Sequence, residues 1–178
     1  MNLGFVALVF YFTIYSFLGW LLENTYNFMT EKRFFKENFL RGPFKPMYGF
    51  APLLLIALIA KDTHWSIILL YCLCIPTFVE YTSGLLLHTF FRRRWWDYSG
   101  HPFQLHGHIC LLFSIYWTFL SLFVLKFIQP LLTDIYGVLQ PYWIWLFPFV
   151  ILYFIVDLIY ATLKHSSKHE DLVEQIQR

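Results

Sequence analysis

Within its long apolar stretches this chain carries a few residues able to bind ions or move protons. Glu23 and Asn24 close the first stretch, Glu80, Tyr81 and His88 lie in the third, and Asp157 lies in the last. A charged side chain at bilayer depth costs about 2.5–3.5 kcal/mol on insertion scales, so such groups face a bundle interior rather than lipid. A second group sits between apolar runs, in RRRWWDYSGHPFQLHGH at 92–108, with Arg94, Trp96, Asp97, His106 and His108. Two chemistries suit these types. Buried acids and imidazoles can relay protons or line an ion or solute path. A carboxyl paired with an imidazole can instead act as a general acid and base on a lipid substrate. Two histidines at i, i+2 share no helix face, so no metal site and no cofactor is expected.

Spacing ties these residues into stripes. Ser16, Gly19 and Glu23 fall at i, i+3, i+7; Thr77, Glu80, Gly84 and His88 at i, i+3, i+7, i+11. His106, Cys110, Ser114 and Trp117 continue the pattern, as do Tyr153, Asp157 and Tyr160. Each stripe lies on one helix face. Small residues in such stripes allow close approach, and polar ones bond across the contact. The expectation is one shared lining. The structural alternative is that Glu80 and Asp157 only glue helices together and Glu23 and His88 snorkel to the interface.

The elements that must position these residues are membrane spans. Hydrophobic residues make up 58% of the 178 and charged residues 13%, with a mean hydropathy of +0.55. That is about half the charge of an average soluble domain. A spanning helix takes about 20 apolar residues. Phe5–Leu22, Trp65–Phe91, Ile109–Ile128 and Tyr142–Leu163 qualify, and Met47–Ala60 is short and holds Pro52. Glu31–Pro46, Lys61–His64, Arg92–Gln104 and Gln129–Pro141 read as connections. Charge then selects the count. Loops one and three and the tail carry Lys32, Arg33, Lys36, Arg41 and Lys45, Arg92–Arg94, and Lys164, Lys168 and Arg178, eleven of the thirteen Lys and Arg. The positive-inside bias requires Met47–Ala60 to cross. The expected fold is an all-α integral membrane bundle of about five helices over 1–163, N-terminus outside, with a polar cytoplasmic tail at 164–178.

Other classes are excluded. The net charge of +2 and the absence of a basic patch with stacking aromatics argue against nucleic acid. MNLGFVALVF lacks a basic leader and cleavage pattern, so it reads as a retained helix. Cys72, Cys74 and Cys110 form no CxxC unit and read as packing residues. No GxxxxGK[ST], GxSxG or HExxH occurs, so the chain has no nucleotide site of its own to energise transport.

FLGWLLENTY (17–26), RGPFKPMYGF (41–50), VEYTSG (79–84) and RWWDYSGHPFQLHGHICLLFS (94–114), taken together and in this order, resemble a bacterial family known as "Putative ABC-transporter type IV", a permease-like membrane group. In that family the resemblance places an Arg where this chain has His108, which implies a basic group there rather than a metal pair. The resemblance further implies a bacterial plasma-membrane location, a transport role and an ATPase subunit as partner beside the lipid bilayer. The reading drawn from all of this is a permease-like component with a polar cavity open to the cytoplasm. The alternatives are an intramembrane enzyme acting on a lipid or lipid-linked substrate and a membrane scaffold.

Overall fold

A computed structural model describes residues 4–177, with side chains described through Ser166. The regular structure is almost entirely helical: α1 (Phe5–Glu31), α2 (Pro46–Leu58), α3 (Trp65–Phe91), α4 (Leu111–Phe123), a π-helical turn (Val124–Ile128) and α5 (Gln129–Gln177). A two-residue ribbon, β1 (Gln104–Leu105) against β2 (Ile109–Cys110), interrupts the loop before α4. Both 27-residue helices end on a basic residue in the left-handed conformation. Lys32 (φ 59°) donates its N–H to the Phe28 carbonyl, and Arg92 (φ 52°) to the His88 carbonyl. A cation there complements the negative end of the helix dipole. Pro46 opens α2, where its missing N–H costs nothing and its φ is preset.

Among the described residues three helical runs are long and apolar enough to cross a membrane: Phe5–Glu31, Trp65–Phe91 and Leu111–Ser166. Large apolar side chains such as Phe78, Phe119, Phe149 and Val156 are more than half exposed along them, as lipid-facing residues are. This differs from five separate spans for two physical reasons. First, α2 has 13 residues, only about 20 Å of helix against a hydrocarbon core of about 30 Å. Second, the stretch 129–141, read as a connection, is helical, so α4, the π turn and α5 form one unbroken run. The helix also continues past 163; the side chains of the tail from residue 167 on lie outside the described residues. The first helix runs nine residues beyond the expected end at Leu22.

That last run is nevertheless bent back on itself. The Tyr15 hydroxyl donates to Gln129 Oε1 at 2.6 Å, Phe10 and Tyr11 pack on Tyr136, and Trp143 Nε1 donates to the Val6 carbonyl at 3.0 Å. Partner numbers fall along α1 as they rise along α5. Beyond Trp143 the order reverses: Phe147 packs on Phe5 and Phe154 on Phe12. On a straight helix Gln129 and Phe154 would stand about 37 Å apart, yet their partners Tyr15 and Phe12 are within one turn of each other. The contacts place the turn between Tyr136 and Phe154, in a stretch that holds Pro141 and Pro148, where prolines remove backbone bonds and permit a sharp bend. The buried apolar core, Ala7, Phe10, Tyr11, Tyr15, Leu132 and Trp143, sits where the outgoing limb meets α1.

Candidate functional site

Glu80 is 2% exposed. Its Oε1 accepts from the Tyr98 hydroxyl at 2.9 Å and its Oε2 from Trp117 Nε1 at 2.7 Å. Its donors come from the 92–110 loop and from α4, so three elements meet at one carboxylate. Trp117 stacks edge-on against Tyr48 (5.3 Å), and Tyr48 lies against the face of Gly19, leaving no room there for a Cβ. The Tyr48 hydroxyl in turn bonds Glu23. Glu23 is ion-paired with Lys45 and, at 3.5 Å, with Lys36. A continuous chain therefore runs Lys45–Glu23–Tyr48–Trp117–Glu80–Tyr98. Burial pulls the Lys45 ammonium below its ordinary pKa, and the Glu23 charge opposes it. Burial and the neighbouring Glu80 charge raise the Tyr98 phenol, so it remains a donor.

Next to this chain lies a cavity of about 370 Å³ between α1, α2, α3, α4 and the π turn. Leu18, Leu22, Leu55, Pro76, Val79 and Leu120 form apolar walls, and Glu80, Tyr48 and Trp117 supply its polar end. The π turn contributes Val124 and Ile128; such local widening recurs at functional sites.

A second, polar cleft of about 540 Å³ is lined by Tyr81, Leu85, His88, Arg94, Ser99, Gln104, His106, Gly107 and His108. His106 lies in the turn between β1 and β2 (φ 52°) and Cys110 in β2, so the helical part of the stripe read through them begins at Ser114. Its Nδ1 is 2.9 Å from the Tyr81 hydroxyl. His108 is 2% exposed, close to His88 (ring centroids 5.6 Å) and against Gly84. Burial, then the charge of Arg94, holds its pKa below the usual histidine value. Trp96 fixes this turn by donating Nε1–H to the His108 carbonyl at 2.9 Å. Asp97 caps the loop. It accepts from the Ser99 N–H at 2.9 Å and hydroxyl at 2.5 Å and from Arg94 at 3.1 Å. The Ser99 bonds hold its carboxyl below the usual range. Gly107 takes φ +72° in contact with this cap, where a Cβ would press on Asp97 and Ser99.

The remaining two candidates are elsewhere. Asp157 is buried, and its two oxygens accept from the backbone N–H groups of Arg41 (3.0 Å) and Gly42 (2.9 Å). Asn24 donates to the Trp20 carbonyl at 2.7 Å and accepts from the Lys36 N–H at 2.8 Å. Both tie loop 32–45 to helices. The single lining expected for Glu23, Glu80, His106 and Asp157 is therefore replaced by three places: an acid network, a histidine cleft and a loop staple. Glu23 and Glu80 come together through Tyr48, Tyr98 and Trp117. Sequence reading did not assign Tyr48 or Tyr98 a role, because aromatic residues are so common here that no spacing marks these two. Lys45, counted above only among the positive charges of loop one, pairs with Glu23. Among the described residues no group of three His, Cys, Asp or Glu is placed to hold a metal.

No curated protein and no solved structure matches the chain. A family model described as "Putative ABC-transporter type IV" matches residues 10–162. That range contains the acid network, the apolar cavity, the histidine cleft and the Asp157 staple, and an ABC-transporter-related family with long apolar helices is consistent with a membrane transport component. The chain belongs to the "Putative ABC-transporter type IV" family.

Proposed function

We propose that the chain is a multi-pass, permease-like transport component of the bacterial plasma membrane, working with an ATPase subunit, and that the apolar cavity ending at Glu80 is its substrate path. One observation carries the reading: a carboxylate 2% exposed in the lining of a cavity whose walls are mostly apolar. A group so costly to bury is kept where it acts. The Lys45–Glu23–Tyr48–Trp117–Glu80 chain supports it, because it couples the loop 32–45 to the cavity. A path for a solute with an apolar portion fits these walls better than a wide polar channel does.

The reversal between Tyr136 and Phe154 supports two crossings by the 56-residue run, and the Lys and Arg bias supports a further crossing at α2. Together these favour about five passes with the N-terminus outside and the C-terminus in the cytoplasm. The absence of a phosphate-binding loop in the sequence assigns energy supply to a partner. The test is complementation of a deletion strain with E80Q, alongside affinity purification of the full chain from membranes and uptake by proteoliposomes. Loss of function in E80Q with an ATPase co-purifying is the expected result. An active E80Q protein, or no ATPase and no transport, would leave a scaffold role instead.

A further inference from the structure

We infer that the histidine cleft binds a phosphate group, presented either by a membrane lipid or by a free solute. The cleft is separate from the Glu80 cavity, so this inference does not depend on the transport reading. Its polar lining is rich in donors: the Arg94 guanidinium, the rings of His88, His106 and His108, the Ser99 hydroxyl and the Gln104 amide. Several of these are already oriented. The Gln104 carbonyl oxygen accepts from the Gly107 N–H at 2.7 Å, which leaves its amide NH₂ as the free edge. Tyr81 engages Nδ1 of His106, which leaves Nε2 for the cleft. Arg94 spends one guanidinium nitrogen on Asp97 and Ser99, and the planar fork has further N–H groups suited to phosphate oxygens. Among the described residues Asp97 is the carboxylate in contact with this set, and it is committed to Ser99 and Arg94. Burial depresses His108 first, and the positive surroundings that add to it are what an anion would relieve.

Size and surroundings extend the argument to what carries the phosphate. A cleft of about 540 Å³ falls in the usual range for small-molecule sites, roughly 300–1,000 Å³, and has room beyond a bare phosphate. Beside it the loop presents Phe103 (83% exposed) and Leu105 (48% exposed), with Leu85 on the neighbouring helix face. Exposed apolar residues next to a donor cluster suit the boundary between head groups and acyl chains.

The experiment uses the full chain in phosphatidylcholine nanodiscs, titrated calorimetrically with inorganic phosphate and with dihexanoyl phosphatidic acid against matched chloride. Saturable binding of either probe is expected, weakened about tenfold or more by R94Q and severalfold by H106A. E80Q should leave it unchanged, and all three variants are first checked for native-like thermal melts. Binding of the lipid probe alone assigns a lipid source, and equal binding of inorganic phosphate assigns a free one; both support the site. No binding above chloride would overturn it. So would binding that survives both R94Q and H106A, which still discriminates if one of the two fails to fold. Since E80Q tests transport and R94Q tests phosphate, either reading can fail while the other stands.

Discussion

The acid network and the histidine cleft are built from similar residue types and lie within one another's reach along α3, yet they are finished differently. Around Glu80 both carboxylate oxygens have donors, and Glu23 has two ammonium partners and a phenol. A buried acid left short of partners costs several kcal/mol, so at membrane depth the network has to close on itself. In the cleft, Arg94, Gln104 and His106 each keep an uncommitted edge beside partly exposed surface. Water satisfies those edges at little cost, and a ligand can replace it. The difference teaches that the closed network fixes the polar end of the apolar cavity in place, while the open one keeps donor edges free for a ligand. Asp157 is a third case: its partners are backbone N–H groups, so it fixes the course of a loop.

The sharpest way to break the comparison is Lys45→Ala. It leaves Glu23 with Lys36 as its one ammonium partner beside the Tyr48 hydroxyl, and should cost about 2–4 kcal/mol in a detergent melt, below the figure for a fully buried pair because both partners retain some exposure. Combining it with Glu23→Gln should restore much of the loss; a double variant as weak as the sum would mean the pair is not coupled. Trp117→Phe removes one Glu80 donor and should cost about 1–2 kcal/mol by the same melt, the lower end if Glu80 finds water. Arg94→Gln, in the open cleft, should shift stability by less than about 1 kcal/mol while impairing phosphate binding. If it destabilises as much as Lys45→Ala, the cleft is a closed network after all.

The smallest effect concerns pH. His108 has its folded pKa lowered below the ordinary value. The unfolded chain therefore takes up a proton that the folded chain refuses, and stability should fall as pH drops below about 6.5 and on toward the lowered value. His108→Gln should flatten that decline on the acid side of about pH 6.5; an unchanged slope would place its origin in another group.

Much of the helical order was legible from composition. Trp65–Phe91 has the expected ends, since it is a 27-residue apolar run with a polar start and three arginines after it. The stretch 129–141 was misread because Gln129, Pro130, Gly137 and Pro141 look like loop chemistry. Packing of Leu132, Tyr136 and Trp143 on α1 outweighed those weak local preferences. For the site, helical period put Glu80 and His88 on one stripe, and the structure sends them to different neighbours. Glu80 meets Trp117 and Tyr98, while His88 faces the 94–108 loop.

By itself the sequence determined that this chain belongs in lipid, which residues were costly to bury, and which flanks carry positive charge. Those follow from side-chain transfer energies that hold wherever a residue is placed. Only the tertiary structure decided which acid meets which donor, that Asp157 holds a loop rather than lining a cavity, and that His106 turns out of the helix into an open cleft. Such pairings depend on helix rotation and loop course, and a one-residue turn of 100° on a helix exchanges one set of partners for another.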